Sequence, residues 1–133
     1  MDRQHVVIVG LPGSGKSTLG VSLTSHVYFD DFINTLCTGK LASALKGTRP
    51  VCVSDPRLCN YWWFQKYIQP YFHPDTTQVI LFENDPEQCI RNTAGRPGGN
   101  WPSTIRRLSD LYQPSKYQSY TVKHVPVYRP DTS

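Results

Sequence analysis

The 133-residue chain holds only four cysteines, Cys37, Cys52, Cys59 and Cys89, and no two form a Cys-x-x-Cys pair. No histidine cluster falls at zinc-ligand spacing either, so nothing points to a zinc site. The thiols read as buried and reduced, as in a cytoplasmic protein. No apolar run approaches the roughly 20 residues that cross a bilayer, which gives no membrane partner. The chain opens on a strand pattern rather than a signal peptide. Repeats and low-complexity tracts are lacking too. The excess of positive charge is small: 14 Lys and Arg against 10 Asp and Glu, a net of +4. That suits a polyanionic partner, but nucleotide phosphates alone could account for it. The length allows one domain, residues 1–133, with room for one site and its lid.

What is present is more specific. Gly10-Leu11-Pro12-Gly13-Ser14-Gly15-Lys16-Ser17 fits the pattern G-x-x-x-x-G-K-S/T, and Thr18 follows. The run Val6-Val7-Ile8-Val9 before it reads as a buried strand, and Thr18-Leu19 opens a helix. Strand before and helix after is the context that this phosphate-binding loop requires. Its glycines let the backbone wrap a polyphosphate, and the helix N-terminus adds its positive dipole end. Lys16 reaches the β- and γ-phosphates, and the Ser17 hydroxyl can ligate Mg²⁺. A chain this short favours a compact core around that loop.

Further along, strands are expected over residues 5–9, 26–29, 51–54, 78–82 and 120–125. Helices are expected from the P-loop to about 24, and over 32–45, 58–69, from about 87, and over 102–112. Asp85 is the expected N-cap of the helix near 87, with Pro86 at its first position. Alternating strands and helices imply an α/β three-layer sandwich around a parallel five-stranded sheet. Ligands then gather at the carboxyl ends of the strands.

The polar residues that follow the apolar runs are the candidates for chemistry. Asp30 or Asp31 could take a proton from an attacking hydroxyl, with Asp30 preferred, or the pair could cap the next helix. Asp55 stands where a Walker-B acid would hold Mg²⁺ through water. It could also orient the substrate, or simply turn the chain before Pro56. Arg91 and Arg96 flank the segment Asn92-Thr93-Ala94-Gly95, with Pro97-Gly98-Gly99 beyond; the glycine-rich stretch 93–100 suits a mobile lid that brings guanidinium charge to a transferring phosphoryl group. Residues 61–72 are dense in aromatics, and half of them should face the core. Tyr61 or Trp62, with Arg57 near, could form a wall of the acceptor site.

Taken in order, Gly10–Thr18, Phe29-Asp30-Asp31-Phe32, Val51-Cys52-Val53-Ser54-Asp55 and Cys89-Ile90-Arg91-Asn92 with Arg96 resemble the polynucleotide-kinase-like P-loop kinases. The segment 102–112 is similar to the helix after their lid. The resemblance implies ATP and Mg²⁺, Asp30 as general base, and Arg91 and Arg96 on the ATP phosphates. Phe32, Ile33 and Asn34 stand where polynucleotide kinases place an arginine for the substrate phosphate, which points away from 5′-end phosphorylation. Asp55-Pro56-Arg57 and the run Glu83–Cys89 look more like the phage 5-hydroxymethyluracil DNA kinases. That branch implies phosphorylation of a base hydroxymethyl group in DNA, a step toward thymidine hypermodification in the host cytoplasm. The alternatives are a 5′-hydroxyl polynucleotide kinase, a small nucleoside or metabolite kinase, and an ATP-binding regulatory module that transfers nothing.

Overall fold

In β1 (His5–Val9) every residue is buried. A strand covered on both faces needs a continuous apolar run rather than an alternating one, and Val6 to Val9 supply it. The computed structural model describes residues 4–130, so the ends of the expected 1–133 domain lie outside the described residues. β1 is central in a five-stranded sheet with β2 (Val27–Asp30), β3 (Val51–Ser54), β4 (Thr77–Phe82) and β5 (Thr121–Val125), in the order β2-β3-β1-β4-β5. All pairings are parallel; Val7 lies beside Val53 on one side and Val79 on the other.

The three layers are unequal. Val6 and Ile8 of β1 face a small cluster with Cys52, Ile80 and Phe82, which Leu19 and Leu23 of α1 (Lys16–Ser22) and its C-cap cover. Val7 and Val9 face the larger core, built with α2 (Lys40–Leu45), α3 (Tyr61–Tyr67), α4 (Pro86–Asn92) and α5 (Trp101–Leu111). Gly20 keeps the thin layer close: a Cβ there would stand 2.4 Å from the Tyr28 ring.

The large core rests on aromatics. Phe64, wholly buried, meets Tyr117 edge-on at 4.8 Å and Tyr120 at 5.4 Å. Burial of one such ring stabilises the fold by about 1.5–3 kcal/mol. A buried phenol needs a partner, and each has one: Tyr112 donates to the Phe82 carbonyl, Tyr117 to Leu58 and Tyr120 to Phe72, at 2.5, 2.5 and 2.6 Å.

Two expected helices are corrected. Residues 32–45 do not form one helix but a 3₁₀ segment (Phe32–Thr38) and α2, broken at Gly39, whose φ of 76° is left-handed. The helix expected over 58–69 is likewise split. A 3₁₀ turn (Pro56–Cys59) comes first, and Asn60 then caps α3 by accepting the Trp62 amide. The expected cap at Asp85 is present, its carboxylate accepting the Gln88 amide, with Pro86 at the first position. Cys52, Cys59 and Cys89 are buried, but Cys37 is exposed.

Candidate active site

The P-loop joins β1 to α1. Gly13 and Gly15 have φ of 85° and 111°. At Gly13 space is closed as well, because a Cβ would stand 2.7 Å from the Cys89 carbonyl oxygen. The loop is tied by the Ser14 amide donating to the Leu11 carbonyl at 3.1 Å. Lys16 is only 7% exposed, and its ammonium donates to that same carbonyl at 2.9 Å. Burial lowers its pKa, and Cys59, Cys89, Asp30 and Asp31 oppose that shift. Burial also pushes the Cys59 thiol up to about 12 and Cys89 to about 11. At neutral pH those thiols are uncharged, so Asp30 and Asp31 are the anions that face the ammonium.

Pro12, Gly13, Gly15, Lys16, Ser17 and Thr18 line a cavity of about 500 Å³. Gly10, Leu11 and Ser14, also expected at the nucleotide, do not line it; Leu11 and Ser14 are fully buried.

The end of β2 brings Asp30 and Asp31 to the same cavity, in different states. Asp30 is held by three donors: the Ser17 hydroxyl at 2.8 Å, the Ser54 hydroxyl at 3.1 Å and the Asp31 amide at 3.0 Å. Tyr28 steadies Ser54 from behind at 2.7 Å. Among the described residues no donor is bonded to the Asp31 carboxylate, and Asp31 is the one non-glycine with positive φ, 48°. Partial burial, then the Asp30 and Asp55 charges, raise its pKa.

Asp55 departs from the expected metal role. It is fully buried and its two oxygens are taken. One accepts the Arg57 amide at 3.0 Å and Arg57 Nε at 2.8 Å; the other accepts Arg57 Nη2 at 2.7 Å and the Ile33 amide at 3.3 Å. A carboxylate with all its lone-pair directions used has none for a metal or its water. Asp55 instead locks Arg57, which also donates to Asn34 Oδ1 at 3.0 Å.

α4 and the segment after β5 close the opposite wall. Arg91 Nη2 donates to Gln88 Oε1, Gln88 Nε2 donates to Asn92 Oδ1, and Asn92 Nδ2 donates to the Gly13 and Tyr128 carbonyls, all at 2.7–2.9 Å. The Tyr128 amide donates to the Ser14 carbonyl, and Arg129 bridges Glu83 and Asp85 at 2.7 Å each. The strand-end strap thus lies against the P-loop, and Asn92 pins the two together. An Asn92→Ala variant loses both of these bonds and the one from Gln88, about 1.5–4.5 kcal/mol at the usual net value per bond. Asn92→Asp is expected to melt lower still, because a carboxylate would face two carbonyl oxygens. Thermal unfolding tests the order; an Asp variant as stable as the parent would refute the clamp.

Arg91 and Arg96 both line the cavity, so the two arginines expected at the lid share it with the P-loop. Arg96 lies over the Trp101 ring at 5.5 Å, and the Trp101 indole N–H donates to the Pro97 carbonyl at 3.1 Å. Three other expected residues are elsewhere. Tyr61, Trp62 and Arg57 do not line the cavity. Tyr61 packs edge-on to Tyr117 at 5.1 Å, because that side of α3 faces the core. The wall is made instead by Trp101, Pro56 and Tyr128. Trp101 had one signal in the sequence, its place right after the glycine-rich segment; Gln88 and Asn92 fell in the runs Glu83–Cys89 and Cys89-Ile90-Arg91-Asn92 with no role assigned, and Tyr128 had no signal, since its contacts with Ser14 and Asn92 cross from one element to another.

No family model matches the chain. The gluconokinase of Sinorhizobium meliloti 1021 superposes with a TM-score of 0.65 at 16% identity, over 96% of this chain and 84% of its own. A shikimate kinase of Bacteroides thetaiotaomicron gives 0.55 at 13% identity, over 91% and 85%. TT1252 of Thermus thermophilus gives 0.54 at 16% identity, over 98% and 91%. These likenesses establish the α/β fold of small P-loop kinases. In sequence, the "Uncharacterized protein R277" of Acanthamoeba polyphaga mimivirus is 40% identical over 130 residues, 90% of this chain and 94% of that protein. With that identity along nearly the whole of both chains, this protein belongs to the same family as the mimivirus R277 protein.

Proposed function

We propose that this protein is an ATP-dependent phosphotransferase whose acceptor is an alcohol, the hydroxymethyl group of 5-hydroxymethyluracil in DNA. One observation carries the transferase reading: P-loop, paired aspartates and two arginines line one cavity of about 500 Å³. A module that only bound a nucleotide could use one carboxylate for Mg²⁺ but would have no task for a second, Asp31, in the same cavity.

Ser17 and Asp30 form a hydroxyl–carboxylate pair of the hard oxygen donors that suit Mg²⁺, which takes few protein ligands beside substrate phosphates. Mg²⁺ bound there would neutralise phosphate charge. Lys16, Arg91 and Arg96 hold the phosphates and meet the charge on the moving group. The acceptor oxygen forms a bond to the γ-phosphorus as the bond to the β-bridging oxygen breaks, and ADP leaves. The acceptor proton passes to a carboxylate. The sequence places that role on Asp30, but the geometry favours Asp31. Three of the lone-pair directions of Asp30 are taken by donors, whereas among the described residues no donor is bonded to the Asp31 carboxylate, and its raised pKa suits it to accept a proton.

The acceptor rests on less: the resemblance of Asp55-Pro56-Arg57 and Glu83–Cys89 to the phage base kinases, the viral source of the relative, and Trp101 as a planar wall. The second reading is a small-alcohol kinase, which the gluconokinase and shikimate kinase likenesses favour. Labelled ATP with duplex DNA containing 5-hydroxymethyluracil separates them. The expected product, after digestion to nucleosides that spares base-linked phosphate, is phosphomethyl-deoxyuridine identified by mass. Label confined to 5′ ends, equally on unmodified DNA, would restore the end-kinase alternative.

A further inference from the structure

We propose that the outer face of α3 is a docking surface for unpaired DNA, leading from the rim of the cavity; this rests on the reading of that cavity as a kinase site with a DNA acceptor. Phe64 points into the core, which leaves Trp62 and Lys66 exposed and Trp63 half-buried beside them, while half-buried Tyr67 packs in part against the core. They are not scattered. Trp63 stacks on Tyr67 at 5.4 Å and 21°, and Trp62 meets Trp63 edge-on at 5.5 Å. Cations sit among the rings. Lys66 Nζ is 4.9 Å from the Trp62 ring and 5.4 Å from Tyr67, and Arg57 lies 6.0 Å from Trp63. The ladder lies one residue along the chain from the cavity: Pro56 lines it, and Arg57, which does not, follows directly.

Charge and shape then choose the occupant. No Asp or Glu occurs between Asp55 and Asp75. Asp55 and Arg57 neutralise each other, so the net positive charge among the rings is that of Lys66, 4.9 Å from the Trp62 ring. Trp62 is 55% exposed, a large ring left to water. An apolar protein partner would have to desolvate Lys66. A nucleic-acid strand would not: its phosphates meet the cations and its bases stack on the rings. Paired bases keep their faces inside the duplex, so the surface suits unpaired nucleotides.

The test measures binding, not transfer. A twelve-nucleotide oligothymidylate without modified bases is titrated against tryptophan fluorescence and, labelled, by anisotropy at several salt concentrations. Quenching and salt-dependent binding are expected. Trp62→Ala is expected to weaken affinity about fivefold or more, the usual scale for one lost base stack. Lys66→Glu is expected to weaken it and flatten the salt dependence. Lys123→Glu, the same charge change on the exposed strand β5, is expected to bind as the parent does. Absent binding, parental affinity in both α3 variants, or equal weakening by Lys123→Glu would overturn the proposal. So would binding to a twelve-base-pair duplex that is as tight and as sensitive to Trp62→Ala. The two readings fail separately. Transfer to the free nucleoside without oligonucleotide binding removes the docking surface alone. Oligonucleotide binding lost in the α3 variants, with no transfer to the modified base, removes the acceptor alone.

Discussion

Asp31→Asn is expected to lower kcat by about 10²–10⁴-fold, the scale of losing a general base, while the protein stays folded. Asn keeps the shape of the side chain and is among the residues most tolerant of the left-handed backbone at φ 48°. The stability effect follows from the raised pKa. The folded state binds that proton more tightly than the unfolded chain does. Stability is therefore lost as pH rises from the ordinary carboxylate range through the raised value, and ionised Asp31 is a cost at neutral pH. The Asn variant is expected to melt at or above the parent at pH 7, with the gap closing in acid. In the parent, kcat/KM is expected to fall on the acid side at a pH above the ordinary carboxylate value. Asp30→Asn is expected to act differently, raising the Mg²⁺ concentration needed for half-maximal rate more than it lowers the rate at saturating Mg²⁺. Rates measured over a Mg²⁺ series decide between them. A general-base-sized loss in Asp30→Asn at saturating Mg²⁺, with Asp31→Asn near normal, would move the role back one residue.

Lys16→Met is expected to lower transfer by about 10³-fold or more, the scale on which a phosphate-neutralising cation acts in this chemistry. Met nearly keeps the volume of a side chain that is 7% exposed, so no cavity opens. It also removes an ammonium whose burial lowers its pKa. The desolvation cost of a buried charge disappears with it, offset by the lost bond to the Leu11 carbonyl at 2.9 Å. The melting temperature is therefore expected to change little while turnover vanishes. Stopped-time transfer assays and thermal unfolding on the same preparation check both halves. Near-normal turnover would refute the P-loop reading, and a collapsed fold would make Lys16 a structural residue.

The sequence by itself determined what depends on local chemistry. Residues 10–17 specify a phosphate loop because its glycines and lysine act at fixed spacing. The apolar runs specify the buried strands β1, β3 and β4, because a doubly covered strand cannot alternate. Asp85-Pro86 specifies a helix start because capping is a short-range bond. Two boundaries misled: apolar spacing runs through residues 32–45, but Gly39 turns the backbone left-handed and ends the first segment, and the run over 58–69 is broken at Asn60, whose extended backbone caps α3. The tertiary structure alone decided whatever depends on side chains meeting across elements. Asp55 could not be told from a metal ligand until Arg57 and the Ile33 amide were seen to fill its oxygens. Asp30 and Asp31 are adjacent in sequence, and only Ser17 and Ser54, from α1 and β3, set them apart. Tyr61 and Trp62 left the acceptor site because α3 turns Phe64 and Tyr61 toward Tyr117, while α5 brings Trp101 to the cavity. Periodicity marks which side of a helix is buried. Which neighbour it is buried against is settled only when the sheet orders its strands and brings distant residues together.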